Sequence, residues 1–185
     1  MKGMKNNWKI LGEKVPYNNP WIKVTEYDVI TPGGNNGIYG KVHFKNLAIG
    51  ILPIDEDGNI YLVGQFRFVI DQYSLELPEG GGPLDVDPLI SAKRELKEET
   101  GIEASNWKKI LEMHLSNSVS DELSIVYLAT GLIIGKSEPE ETEVLDLIKI
   151  SFEEAYQKVL NFEITDSITV AALLRLKIMI SEKEL

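Results

Sequence analysis

The stretch Leu75–Ile102, LELPEGGGPLDVDPLISAKRELKEETGI, contains the strongest local signals in the chain. Asp87 is a favourable N-cap, and Pro88 suits the first helical position because a missing N–H costs nothing there. Gly101 can adopt the left-handed conformation that ends many helices. Between these residues, apolar side chains recur at three- and four-residue steps, at Leu89, Ala92 and Leu96. The stretch therefore predicts a helix with one buried face, preceded by a glycine-rich segment.

Three carboxylates, Glu95, Glu98 and Glu99, lie on another side of this predicted helix. Because Glu95 and Glu99 are four residues apart, their side chains stack on one side, and like charges at this spacing destabilise a helix. Hard oxygen ligands that face one point suit Mg²⁺ or Mn²⁺. The alternative is a solvated charged face, with Lys93 and Lys97 as ion-pair partners. The helix alone leaves both interpretations open.

The complete spacing of the stretch resembles the Nudix box. In that family pattern a glycine is followed by five residues and a Glu, and seven further residues lead to Arg-Glu-aliphatic. The pattern then continues with one residue of any type, Glu-Glu, another residue of any type, and Gly-aliphatic. Here the pattern falls on Gly80, Arg94-Glu95-Leu96, Glu98-Glu99 and Gly101-Ile102. The match is long and free of gaps, so it favours a metal site over a solvated face.

One fixed position of the pattern differs, because its first Glu falls on Val86. In family members this Glu supports the helix ligands, commonly through the Arg of the box, and a valine has no group that can do so. Two alternatives stay open. Asp85 or Asp87 substitutes from the helix N-terminus, where acids are favoured, or Arg94 pairs with Glu98 instead.

Composition limits the classes of protein that the chain can belong to. Its 185 residues suit one domain with a small N-terminal extension, and 43% hydrophobic residues suffice for a globular core. The net charge of -10 argues against a nucleic acid held through its phosphates. No apolar run is long enough to cross a bilayer, and the N-terminus lacks the apolar middle of a signal peptide. The absence of cysteine adds no reason to look outside the cytoplasm.

The N-terminal part of the chain is predicted to contain one hairpin. Residues 1–19 are polar and poorly patterned, whereas 21–30 alternate as a strand does. A strong turn signal at 32–37 precedes a returning strand over 38–44. Because an isolated hairpin is marginal in water, we expect it to pack on the main body or across a dimer interface. The predicted division is an N-terminal extension over 1–46 and a catalytic domain over 47–185.

The remainder alternates strands and helices. Strands are predicted over 47–54, 60–68, 73–77, 107–115, 123–132 and 144–150, with Asp55–Asn59 as a hairpin turn between the first two. Further helices are predicted over 152–160 and 167–180. This pattern predicts an α/β fold, a mixed sheet with helices on both faces. The α/β/α sandwich that the Nudix resemblance implies is a fold of this kind.

Segments outside the box resemble the branch of the family that contains ADP-ribose pyrophosphatases and nucleoside diphosphate sugar hydrolases. They are Gln65-Phe66-Arg67, Leu75–Gly80, Ser120-Asp121-Glu122 and the region from the acidic loop to the last helix. In this branch an N-terminal strand pair often helps to form a homodimer. Asn117 departs from the Pro that ADP-ribose hydrolases usually carry, which leaves other sugars such as GDP-mannose open.

The resemblance implies Mg²⁺-dependent hydrolysis of the pyrophosphate bond, giving a nucleoside monophosphate and a sugar phosphate. It assigns the metal to Glu95 and Glu99, with the backbone carbonyl of Glu79 facing it. Glu98 is expected to be catalytic, either as a further metal ligand or directly behind the ligands. The general base falls on Glu141 in the acidic loop, with Glu143 next to it as a further metal ligand. The alternative for this loop, which also contains Glu138 and Glu140, is a flexible segment without a catalytic role.

Substrate contacts are expected from Arg67, Glu76, Gly80 and Trp21. A guanidinium makes bidentate contacts with phosphate, although a strand-end ion pair is the alternative for Arg67. Gly80 would let the backbone approach a ligand, or form a flexible turn. Trp21 would stack on a nucleobase, or serve the core or a dimer interface.

Two other functions compete with the enzyme. A non-catalytic module could bind a nucleotide sugar as a sensor, but it would have little reason to keep three carboxylates that repel one another. An RNA-cap pyrophosphohydrolase is disfavoured by the acidic charge.

Overall fold

The computed structural model describes residues 5–135 and 145–184. The described residues form two compact units, one within 5–46 and 116–122 and the other within 47–115, 123–135 and 145–184. Within the described ranges, no helix has both the length and the apolar character needed to cross a membrane.

The first unit contains a three-stranded antiparallel sheet. Strands β1 (Lys9–Asn18), β2 (Ile22–Ile30) and β3 (Asn36–Phe44) lie in the order β1-β2-β3. The predicted hairpin is confirmed as β2 and β3. Strand β1 was missed, because nearly all its residues are exposed and no apolar alternation marks it.

The second unit contains two sheets. Its strands are β4 (Asn46–Pro53), β5 (Asn59–Arg67), β6 (Gln72–Glu76), β7 (Glu79–Pro83), β8 (Ile102–His114), β9 (Leu123–Ile134) and β10 (Asp146–Ser151). One sheet has the order β10-β5-β6 and is antiparallel. The other has the order β7-β4-β9-β8 and is mixed, since β4 and β9 are parallel and β8 and β9 antiparallel. The predicted mixed sheet is confirmed.

The predicted hairpin of β4 and β5 is wrong. The turn forms as its Asp-Gly pair indicates, with Gly58 at a φ of 79°. The two strands share only the isolated bridge between Ile54 and Ile60, and they then enter different sheets. The turn sequence determines the local reversal of the chain direction. Which sheet each strand joins depends on pairing with strands that are distant in sequence.

Three helices complete the second unit: α1 (Pro88–Thr100), α2 (Phe152–Leu160) and α3 (Ser167–Glu182). Helix α1 begins and ends as predicted. The Asp87 carboxylate accepts a hydrogen bond from the N–H of Leu89, and Gly101 has a left-handed φ of 72°.

Alternate residues of the central strands pack on opposite sides of the mixed sheet. Ile49 and Ile51 of β4 belong to a core cluster with Ala92 and Leu96 of α1. Leu52 belongs to a second cluster, which contains the buried side chains of α2 and α3. Helices therefore cover both faces, and α1 lies against β7, which orients its carboxylates.

Candidate active site

Two carboxylates of α1 are buried. Glu95 is 8% exposed and Glu99 is 4% exposed, so they do not belong to a solvated face. Glu98 is one-third exposed, and Lys97 forms an ion pair with Glu103. Burying two carboxylates is costly unless they have polar partners, and the neighbouring strand supplies them.

Gly80 of β7 makes room for one of these carboxylates. A Cβ at Gly80 would overlap the carboxylate of Glu95. Any side chain here would therefore push Glu95 away from the strand. The Gly80 pattern position serves a close approach between backbone and carboxylate, which a flexible turn would not require.

Arg94 links the carboxylates to the glycine-rich strand. Its guanidinium donates to Glu98 at 2.5 Å, to the Gly81 carbonyl at 3.0 Å, and to Glu95. Asp87 is engaged as the helix N-cap. Of the two alternatives raised by Val86, the structure therefore has Arg94 pairing with Glu98.

Three hydrogen bonds hold the backbone that leads into β7. The Leu77 N–H donates to Thr169 Oγ1 of α3 at 2.9 Å, and the Ile51 N–H donates to the Pro78 carbonyl at 2.9 Å. The Glu79 N–H donates to Glu99 Oε2 at 3.0 Å. This segment is thus fixed between α1, β4 and α3, and the Glu99 carboxylate is oriented by it.

Arg67, at the end of β5, is held by two carboxylates. Its Nε lies 2.9 Å and 3.0 Å from the two oxygens of Glu76, and its Nη2 contacts Glu76 at 2.5 Å and Glu79 Oε1 at 2.6 Å. Among the described residues, its Nη1 has no hydrogen-bond partner. The side chain is 39% exposed. Two of the three guanidinium nitrogens are therefore committed to the protein and one is available.

A second acidic group lies beside Arg67. Carboxylate oxygens of Glu76, Glu79 and Asp166 come within 4.8 Å of one another. Burial first, and then Asp166 and Glu76, raise the pKa of Glu79 well above its ordinary value, against the opposing effect of Arg67. Within the described ranges, Glu79 Oε2 is buried without a hydrogen-bond partner. These groups line an open groove of about 290 Å³, together with Ser74 and Thr165.

The donor set fits a divalent cation of the Mg²⁺ type. The group formed by Glu76, Glu79 and Asp166 offers carboxylate oxygens, the ligands that such ions prefer, and Glu79 Oε2 has no hydrogen-bond partner among the described residues. Arg94 lies between Glu95 and Glu98. Glu95 and Glu98 thus share the Arg94 guanidinium, whereas Glu99 accepts a hydrogen bond from the Glu79 N–H.

Six residues predicted from the sequence lie in one region of the second unit: Arg67, Glu76, Glu79, Gly80, Glu95 and Glu99. Asp166 and Thr169 were not predicted. Asp166 caps α3 by accepting the Thr169 N–H at 2.7 Å, so an Asp before a predicted helix was its available signal. Nothing local marks Thr169. Trp21 precedes β2 in the first unit and is 66% exposed. Glu141 and Glu143 lie outside the described residues.

Comparison with known proteins agrees with this arrangement. Residues 44–171 match the NUDIX domain, and residues 8–42 match the nucleoside diphosphate sugar hydrolase N-terminal domain. The crystal structure of an ADP compounds hydrolase superposes with a TM-score of 0.86 at 19% identity, covering 98% of each chain, which shows a shared fold.

Several characterised relatives are similar in sequence. An ADP-ribose pyrophosphatase of Mycobacterium tuberculosis is 38% identical over 69% of this chain, which spans 63% of that protein's length. An ADP-ribose pyrophosphatase of Bacillus subtilis is 32% identical over 68% of this chain and 69% of its own length. A methanol dehydrogenase activator of Bacillus methanolicus is 31% identical over 82% of both chains. The box on α1, the fold and these matches show that the chain belongs to the Nudix family.

Proposed function

We propose that this protein hydrolyses the pyrophosphate bond of a nucleoside diphosphate sugar and releases a nucleoside monophosphate and a sugar phosphate. The observation that carries the proposal is the burial of Glu95 and Glu99 beside β7, where Gly80 leaves room for the Glu95 carboxylate and the Glu79 N–H donates to Glu99. ADP-ribose is the first candidate substrate, because two relatives are named ADP-ribose pyrophosphatase. Because Asn117 stands where ADP-ribose hydrolases usually carry Pro, GDP-mannose and related compounds are tested as well.

Mg²⁺, or Mn²⁺ in its place, would be held by the carboxylates of Glu95 and Glu99 and by the backbone carbonyl of Glu79. When bound, such an ion screens phosphate charge and stabilises the leaving phosphate. The chain's own part is to hold these oxygens in position. Arg94 orients Glu95 and Glu98, and the Glu79 N–H orients Glu99.

Arg67 is proposed to bind a substrate phosphate through Nη1. Glu76 and Glu79 orient its guanidinium through the other two nitrogens. Burial alone would lower the pKa of Arg67, but contact with Glu76 and Glu79 raises it. The guanidinium therefore stays charged. Glu76 then acts on the substrate by positioning Arg67. Gly80 acts by admitting the Glu95 carboxylate.

Proton transfer requires a base, because water is a weak acid at neutral pH. Glu141 is proposed for this role and Glu143 for a further metal contact, both by resemblance.

Trp21 is proposed to stack on the nucleobase. Residues 1–46 are proposed to act as a separate dimerisation region, so the active form would be a homodimer. Cytoplasmic location stays a prediction.

The proposal is tested with a panel of nucleoside diphosphate sugars and Mg²⁺. Both products carry a phosphate monoester that the substrate lacks, so added phosphatase releases inorganic phosphate only after cleavage. We expect turnover of ADP-ribose or GDP-mannose, and a loss of about 100-fold or more in Glu99→Gln, which removes one ligand charge. Lys97→Gln, on the same helix turn, is the matched control and should keep its activity.

The sensor alternative predicts a different result. A binding module would retain a nucleotide sugar in equilibrium dialysis without consuming it, with Mg²⁺ present. Binding without phosphate release across the whole panel would contradict the enzymatic proposal.

A further inference from the structure

The sheet of the first unit contains a polar pocket whose lining residues have no part in the proposed function. The pocket has a volume of about 210 Å³ and is lined by Lys23, Thr25, Tyr27, Lys41, His43 and Asp121. The first five come from one face of β2 and β3, and Asp121 comes from the 116–122 loop of the same unit.

The register of the hairpin brings two lysines and a histidine together. Lys23 lies directly opposite His43, and Thr25 lies opposite Lys41. Side chains at such positions are neighbours, and Lys23 and Lys41 lie diagonally across the strand pair on one face. Because two ammonium groups on one face repel each other, a nearby negative charge stabilises them.

Asp121 supplies part of that charge. Its Oδ2 lies 2.8 Å from Lys41 Nζ and 2.8 Å from His43 Nδ1, and its Oδ1 accepts the Phe44 N–H at 3.0 Å. Burial opposes ionisation, but these contacts bring the pKa of Asp121 to about 2, so one full negative charge is present at neutral pH. In the part of the chain that the structure describes, Lys23 has no ion-pair partner.

Thr25 provides a second, independent indication. The residue is only 3% exposed, and its hydroxyl makes no hydrogen bond to any described residue, although it lines the pocket. Because the residue lines the pocket, its hydroxyl can donate to or accept from a bound molecule. Tyr27 adds a hydroxyl close to Lys41. The hydrogen bond to Asp121, and to a smaller extent the Tyr27 phenol, raise the pKa of Lys41 against the opposing effect of burial.

We propose that this pocket binds a phosphate monoester, with Lys23 and Lys41 supplying charge and Thr25 and Tyr27 supplying hydroxyl hydrogen bonds. An ammonium and a hydroxyl are common donors to phosphate oxygens. Asp121 limits affinity by repelling the anion while it keeps Lys41 in place. If the proposed function is correct, both reaction products belong to this ligand class, but the anion site itself does not depend on that function.

The test is an amide NMR titration of the full-length protein at constant ionic strength, without metal. Inorganic phosphate is the first probe, and AMP and ribose 5-phosphate are separate arms that distinguish a free phosphate from a nucleotide or sugar phosphate. The experiment needs no turnover, so it can succeed or fail independently of the enzymatic proposal. We expect saturable shifts at Lys23, Thr25 and Lys41.

Four variants define the expected pattern. Lys23→Gln should weaken binding about fivefold, the effect of one charge at about 4 Å in water, and Thr25→Val should weaken it without a change of charge. Asp121→Asn should strengthen binding about fivefold by removing repulsion while keeping an oxygen for the Phe44 N–H. Lys14→Gln is the control, since Lys14 pairs with Glu26 on β2 and does not line the pocket.

The proposal is overturned by an absence of saturable shifts with all three probes. It is also overturned if Lys14→Gln weakens binding as much as Lys23→Gln, because the anion would then respond to surface charge alone. Weaker binding in Asp121→Asn, with a native-like spectrum, would show that Asp121 does not oppose the ligand.

Discussion

Thr169 joins helix α3 to the segment that precedes the glycine strand, and its removal gives a sharp prediction. The residue is fully buried, and its hydroxyl accepts the Leu77 N–H at 2.9 Å. In Thr169→Val the shape is kept but the buried N–H loses its partner, which costs about 1–3 kcal/mol. In Thr169→Ser the hydroxyl stays and only a buried methyl is lost, at a cost of about 1 kcal/mol.

Urea unfolding and amide hydrogen exchange measure the two effects separately. We expect Thr169→Val to be less stable than Thr169→Ser, by about 1 kcal/mol. The Leu77 amide should exchange quickly in the Val variant and stay protected in the Ser variant. Because this backbone continues to Glu79 and Glu99, the Val variant should also require more Mg²⁺ for half-maximal activity. A Val variant with wild-type stability and a protected Leu77 amide would refute the tethering role.

Other perturbations test separate parts of the structure. Gly80→Ala should lower kcat about 100-fold, because a displacement of Glu95 by about 1 Å suffices for such a loss; a normal rate would mean that Glu95 need not lie against the strand. Val86→Glu should leave activity equal or higher, and a large loss of turnover would contradict the role assigned to this position. Burial alone would raise the pKa of Asp55, but contacts with Lys149 and Asn59 lower it to about 2. Its ionisation therefore stabilises the fold above pH 4, and the deficit of Asp55→Asn in urea midpoint should shrink between pH 4 and pH 2; a constant deficit would exclude this contribution.

Local signals predicted the central helix well. Asp87, Gly101 and the apolar spacing of α1 each act through neighbours within one or two turns, so sequence and structure agree on where it begins and ends. The box spacing likewise predicted which carboxylates matter. It did not predict their individual partners, since Glu99 is oriented by a backbone N–H twenty positions earlier in the chain.

Long-range contacts account for what was missed. Thr169 and Leu77 are 92 residues apart in sequence, and no local pattern signals such a bond. Strand β7 was read as a glycine-rich connection because Glu79–Pro83 has almost no side chains that favour a strand. It pairs because it lies at the edge beside β4. Strand β5 does not form the predicted hairpin with β4, because it pairs with β6 and β10 in the other sheet.

The central claim is that the carboxylates beside β7 are held in place for a divalent cation. Anomalous diffraction from crystals soaked in Mn²⁺ with a non-hydrolysable nucleoside diphosphate sugar analogue measures this directly. The account predicts a manganese peak within about 2.3 Å of carboxylate oxygens of Glu95 and Glu99, and its loss in Glu99→Gln crystals. Clear density for the diphosphate with no anomalous peak beside either residue would contradict the account.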